Sequence, residues 1–235
     1  MKLEEAKRDY YRKLAKEEGY RSRAAFKLKQ INDKYHLIRT GSSVVDIGCA
    51  PGGWLEVLSE IVGERGRVVG VDTVPIKPLG KKNVRFLKED ITSKKFLEKL
   101  KEELGKGKAD CVLADLSPKL SGIWDMDHFK QIQLCHKVID LLPELLVEEG
   151  SCVMKAFHGG ELEGLVHRLR ESFERVGISK PEASRKESSE VYLVSRRFKG
   201  QVPEQPSVLQ KETRESESPE DSDGSGLLDD RLPAV

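Results

Sequence analysis

Val44-Val45-Asp46-Ile47-Gly48-Cys49-Ala50-Pro51-Gly52-Gly53-Trp54 is a β-branched apolar run that ends in an acid and a glycine, then turns through Ala-Pro-Gly-Gly into a segment of apolar periodicity. That order reads as a buried strand, a tight glycine turn and a helix start, the corner of an α/β sheet where nucleotide-like ligands are held. Further apolar runs follow at 68–71, 84–87, 111–114, 151–154 and 191–194. Amphipathic segments at 54–61, 95–104, 130–147 and 162–176 separate most of them. Such alternation predicts an α/β fold, a mainly parallel, doubly wound sheet with helices on both faces. The run at 191–194 follows a loop rather than a helix and is expected to be antiparallel. Pro143 is expected to kink or shorten the long helix it falls in.

Upstream of the corner, residues 3–18 carry a thin apolar stripe (Leu3, Ala6, Tyr10, Leu14) and read as a helix. Ser22 reads as the N-cap of a second helix over 23–34, with Ala24, Leu28 and Ile31 on one face and Lys27 between Phe26 and Leu28. Residues 1–39 hold twelve Lys and Arg against six Asp and Glu, whereas 201–235 hold three against nine. The net charge of +1 thus hides a basic body and an acidic tail, and the body suits a polyanionic partner. The tail after Lys199 is rich in Ser, Glu, Asp and Pro, with too little apolar surface to offset the entropy of ordering it. No apolar run nears the ~20 residues of a membrane span, and the N-terminus lacks the apolar core of a signal peptide. A cytoplasmic protein without a membrane partner is expected. Cys49, Cys111, Cys135 and Cys152 show no CxxC pairing, and the histidines show no zinc spacing, so no metal site is expected.

The chemistry-bearing residues fall at the ends of the runs. Gly48-Cys49-Ala50-Pro51-Gly52-Gly53 does not fit GxGxxG. A proline stiffens the turn where a pyrophosphate would need free amides, and Asp46 disfavours a nearby phosphate. S-adenosyl-L-methionine, a sulfonium with an amino-acid end and no phosphate, fits better. Asp72 ends the second run, where an acid takes both ribose hydroxyls of an adenosine or, alternatively, caps a turn. Asp90 follows the third run, placed for the adenine amino group or as an N-cap. Asp115 ends the fourth in Asp115-Leu116-Ser117-Pro118, which lacks the Asn and Tyr of base-amine methyltransferases. Lys155 ends the fifth, a costly place for an ammonium unless an acid pairs with it. Glu190 directly precedes the sixth.

With Lys27 in Tyr20-Arg21-Ser22-Arg23-Ala24-Ala25-Phe26-Lys27-Leu28, Asp115 in Ala114-Asp115-Leu116-Ser117-Pro118, Lys155 in Met154-Lys155-Ala156-Phe157 and Glu190 in Ser189-Glu190-Val191-Tyr192, the chain resembles the FtsJ/RrmJ family of RNA ribose 2′-O-methyltransferases from about residue 9 to 199. The turn at 118–122 is closer to the archaeal than to the Asn-rich bacterial form. The resemblance implies a Rossmann-like methyltransferase fold with a seven-stranded sheet, one strand antiparallel. It divides the chain into a basic helical segment (1–40), a methyltransferase domain (41–199) and an acidic tail (200–235). It implies S-adenosyl-L-methionine contacts at Gly52, Trp54, Asp72, Asp90 and Asp115, and a Lys27, Asp115, Lys155, Glu190 tetrad in which Lys155 accepts the proton while Asp115 and Glu190 orient it and Lys27 steers the ribose. The implied substrate is a uridine of 23S ribosomal RNA, free or in the large ribosomal subunit, modified by a monomer. Transfer RNA, another RNA, or a non-catalytic RNA-binding role are the alternatives. Tyr10, Tyr11, Tyr20, Arg21 and Arg23 are expected to offer an RNA-contacting surface.

Overall fold

A computed structural model describes residues 3–105, 107–185 and 187–204. The described residues form α1 (Leu3–Glu17), α2 (Ala24–Tyr35), β1 (Ser43–Ile47), α3 (Gly53–Val62), β2 (Arg67–Asp72), β3 (Val84–Lys88), α4 (Phe96–Glu103), β4 (Ala109–Ala114), α5 (Trp124–Leu145), β5 (Leu146–Phe157), α6 (Leu162–Ser172), β6 (Phe173–Ser179) and β7 (Glu190–Phe198). The strands make one sheet in the order β3-β2-β1-β4-β5-β7-β6. β7 runs antiparallel to both its neighbours, and the remaining pairs are parallel.

Strand alternation sorts the core into two layers. Val44, Val68, Cys111, Val153 and Tyr192 face α2 and α3, while Val45, Val69, Val112, Met154 and Leu193 face α4, α5 and α6. This parity decides where polar residues go. Asp46 shares the side of Val44, and Lys155 that of Val153, so both point toward the layer that carries Lys27. The turn that opens the chain's α/β corner depends on Gly48, whose φ is +81°. A Cβ there would stand 3.0 Å from the Leu116 backbone, so only glycine lets β1 end this close to the segment after β4.

Four local readings change. β6 is a seventh strand that the apolar pattern did not reveal, and α6 stops at Ser172, four residues before the expected end. β5 starts at Leu146, five residues earlier than its apolar run suggested. α2 starts without a side-chain cap, because Ser22 Oγ is turned into the protein against Gly53 and finds no partner there. Pro143, which was expected to kink or shorten its helix, sits in the last turn of α5, and the helix ends two residues later at Leu145 rather than at 147.

The N-terminal helices dock by aromatic packing. Tyr11 and Tyr20 both meet the Phe26 ring, and Gln30 ties the Tyr11 hydroxyl to the Ala183 amide. At the other end, the buried Arg168 guanidinium donates to the Pro203 carbonyl and pairs with Asp140. From residue 205 on, the acidic tail expected over 200–235 lies outside the described residues. None of the described helices is long and apolar enough to cross a membrane.

Candidate active site and cofactor cavity

The sheet order reverses between β1 and β4, and ligands of open α/β sheets bind beyond the strand ends at such a point. A cavity of about 370 Å³ opens there, within the roughly 300–1,000 Å³ of small-molecule sites. Asp72, Asp90 and Asp115 line it at the ends of three strands, with Val71, Ile91, Leu116 and Leu134 as apolar walls. Asp72 accepts from the Ala50 and Val74 amides, so it organises the glycine turn while keeping lone pairs toward the cavity. Asp90 Oδ1 accepts from the amide and hydroxyl of Thr92, which hold its carboxyl below the ordinary range. The expected N-cap role is absent, since α4 starts only at Phe96.

Behind the cavity lies Asp46, fully buried, with neither carboxylate oxygen partnered among the described residues. Burial first, then the charges of Asp115 and Asp72, raise its carboxyl well above the usual range. Buried carboxyl oxygens without a donor, behind a wall of three acids, fit a cationic ligand such as a sulfonium with its α-ammonium group. An anionic phosphate would add repulsion.

Two of the expected cofactor residues do not line the cavity. Gly52, at φ +105°, turns the chain into α3 with its Cα toward the Arg21 side chain. Trp54 is buried between α2 and the sheet. Its indole N–H donates to the Ala24 carbonyl at 2.8 Å and its ring packs on Tyr192. Both residues shape the site from behind.

Lys27, Asp115, Lys155 and Glu190 do converge, as two ion pairs. Lys155 Nζ lies 3.0 Å from Asp115 Oδ1 and also donates to the Asp115 carbonyl. Lys27 Nζ lies 3.0 Å from Glu190 Oε2. Glu190, expected to orient Lys155, is paired with Lys27 through Oε2 and feels Lys155 through its charge. Both lysines are buried, 7% and 5% exposed, while the acids reach solvent. Burial pushes the Glu190 carboxyl up, but the Lys27 ammonium by charge and hydrogen bond, and Lys155 by charge, hold it below the ordinary range.

Tyr192, absent from the expected residues, joins the two pairs. Its hydroxyl accepts from Lys27 Nζ and donates to Asp115 Oδ1, each at 3.3 Å. Burial, then the Asp115 and Glu190 charges, push its pKa well above that of a free phenol, so it stays a donor. It pairs in register with Lys155 and lies two residues past Glu190, so all three share one sheet face. From α5, Gln131 fixes the Lys155 carbonyl at 2.8 Å. Two of the residues expected to offer an RNA-contacting surface are engaged within the protein. Tyr20 bonds Glu60, and Arg21 is consumed by contacts to Glu56 and to the carbonyls of Pro51, Lys77 and Pro78. Tyr10 stays exposed.

A sheet of this order, with strand-end acids around a switch-point cavity and paired lysines beside it, defines a Rossmann-like methyltransferase. Residues 20–198 match the FtsJ-like methyltransferase family. The chain is 46% identical over 196 residues to the ribosomal RNA large subunit methyltransferase E of Methanocaldococcus jannaschii, covering 83% of this chain and 80% of that protein. The Methanothermobacter thermautotrophicus protein of the same name is 45% identical, covering 83% of this chain and 92% of its own. Among solved structures, a ribosomal RNA methyltransferase from Plasmodium falciparum aligns with TM-score 0.69 and 29% identity, over 77% of this chain and all of that one. Aeropyrum pernix fibrillarin with bound S-adenosyl-L-methionine shares the fold at TM-score 0.51 and 16% identity, over 73% of each chain. The chain belongs to the FtsJ-like methyltransferase family.

Proposed function

We propose that this protein methylates a ribose 2′-hydroxyl of large-subunit ribosomal RNA, at a uridine, acting as a cytoplasmic monomer. The observation that carries the reading is the pair of buried lysine–carboxylate contacts joined through Tyr192 at the cavity rim. Bound S-adenosyl-L-methionine supplies an activated methyl group on its sulfonium, so the protein mainly aligns two reactants and manages one proton. Asp72 and Asp90 take the ribose and adenine ends, and Asp115 and Asp46 favour the cationic end. Gly52 and Trp54 contribute by holding the turn and α2. Lys155 Nζ, 3.0 Å from Asp115 Oδ1, would take the 2′-hydroxyl proton in its amine form, while the bound cofactor would supply the methyl group. Asp115 holds Lys155 in place, and Glu190 holds Lys27 against the ribose.

The test is ribose-methylation mapping of large-subunit RNA incubated with the protein and S-adenosyl-L-methionine, with transfer RNA in parallel. One new 2′-O-methyl uridine in the ribosomal RNA is expected. Lys155→Ala should lower transfer by at least the roughly 10²–10⁴-fold of a lost general base, with cofactor affinity near that of the wild type. Lys27→Ala should cost less. Wild-type transfer by Lys155→Ala would show that the proton leaves by another route.

A further inference from the structure

The start of α5 exposes an unusual amount of apolar surface for a stretch of ten residues. Leu120, Ile123, Trp124, Met126 and Phe129 are each about half exposed or more. Trp124 is the ordered centre of this patch. Its ring stacks on the His128 ring at 5.9 Å and 13°, and on the Phe157 ring at 5.9 Å and 27°. The backing rings are themselves fixed. His128 closes on Gly159, where an added Cβ would come within 2.7 Å of its ring, and its Nε2 accepts from the Glu161 amide. Phe157 is buried and ends β5, two residues beyond Lys155 on the same face of that strand. Asp127 closes the preceding turn by accepting from Ser121 and Gly122. Trp124 is 48% exposed, so a half-open aromatic platform is backed by His128 and by Phe157, the latter lying two residues beyond Lys155.

We propose that Trp124, backed by His128 and Phe157, is a stacking shelf for an unpaired base of the RNA next to the ribose that is methylated. This inference rests on the proposed RNA reading. An aromatic face suits a base because stacking needs no matching hydrogen bonds and tolerates any sequence. The surface is continuous with the candidate site through Phe157, which separates it from a solvated apolar patch elsewhere on the molecule. A base held here would fix the position of the adjoining nucleotide's sugar, the geometry that an in-line transfer requires.

The test reads binding without turnover. A short single-stranded RNA is titrated into the full chain while tryptophan fluorescence is followed, Trp124 being half exposed and Trp54 buried. Quenching is expected in the wild type. Because replacing Trp124 removes the reporter, variant affinities are read by filter binding, where Trp124→Ala should weaken RNA binding by about 10-fold, the order of one lost base–aromatic stack, with cofactor affinity unchanged. Trp124→Phe should recover most of the loss, and Trp124→Leu, which keeps apolar bulk without a ring, should not. Wild-type affinity in the Leu variant overturns the shelf, as does a self-association in sedimentation that Trp124→Ala abolishes. A change in Trp124 emission on deleting 205–235 also overturns it, by making the tail the occupant. If RNA binds through Trp124 but no ribose is methylated, the shelf stands and the proposed reaction falls. If methylation proceeds while every Trp124 variant binds normally, the reverse holds.

Discussion

Asp46 is a buried carboxyl with no hydrogen-bond donor among the described residues. Its carboxyl is raised by burial and by Asp115 and Asp72, so the linkage runs opposite to that of an ion-paired acid. Below the unfolded value of about 3.9, both states are protonated and nothing is lost. As pH rises from there toward the raised folded value, the unfolded chain releases the proton first and stability falls. Asp46→Asn should therefore stabilise the unliganded protein at pH 7 by on the order of 1 kcal/mol, and the gain should vanish near pH 4. Thermal denaturation across that interval measures it. S-adenosyl-L-methionine should raise the melting temperature of the wild type more than that of the variant. Asp46 was visible in the sequence only as a reason against phosphate, because its burial follows from strand parity. Tyr192 was hidden for a related reason. Inside Val-Tyr-Leu-Val it looks like core, and only its register opposite Lys155 reveals a hydroxyl with two partners.

Between elements, Arg21 acts as a clasp. From the link between α1 and α2 it reaches Glu56 on α3, the Pro51 carbonyl in the glycine turn, and the carbonyls of Lys77 and Pro78 beyond β2. Arg21→Ala should loosen the cavity wall and raise the cofactor dissociation constant by roughly 3–10-fold, the worth of about one ordinary hydrogen bond, while the turnover rate at saturating cofactor changes less. Calorimetric titration of cofactor would decide it, and unchanged affinity would mean the turn holds itself. The motifs of the cofactor corner were legible because β-branched runs and glycine turns are local signals. β6 was not. Phe-Glu-Arg-Val-Gly-Ile-Ser continues the amphipathic period of α6, and as an edge strand it pairs only with β7 and buries little between its ends. Its pairing is set by a partner that begins eleven residues after β6 ends. Gly52 and Trp54, which the resemblance implied as cofactor contacts, lie outside the cavity lining, and Trp54 is instead turned onto the Ala24 carbonyl of α2.

For the molecule as a whole, charge distribution should govern RNA affinity. Arg12, Lys13 and Lys16 are exposed on α1. RNA affinity should fall linearly on a log–log plot against salt, and replacing these three with alanine should reduce the slope by about 2, at roughly 0.7 per single-strand phosphate contact. Filter binding from 50 to 300 mM salt measures it, and an unchanged slope would move the backbone contact away from α1. The site also draws on the full span of the fold, since Lys27 and Glu190 are 163 residues apart. Glu190 and Tyr192 lie on β7, the last strand among the described residues, which nevertheless slots between β5 and β6. During synthesis Lys27, Asp115 and Lys155 all emerge before the two residues that tie them together, and β6 has no partner in the sheet until β7 enters. The acids that line the cavity, Asp72, Asp90 and Asp115, are all in place in the chain by residue 115. A chain cut short before Glu190 would keep those three acids and lose both the carboxylate that pairs with Lys27 and the hydroxyl that joins the two ion pairs.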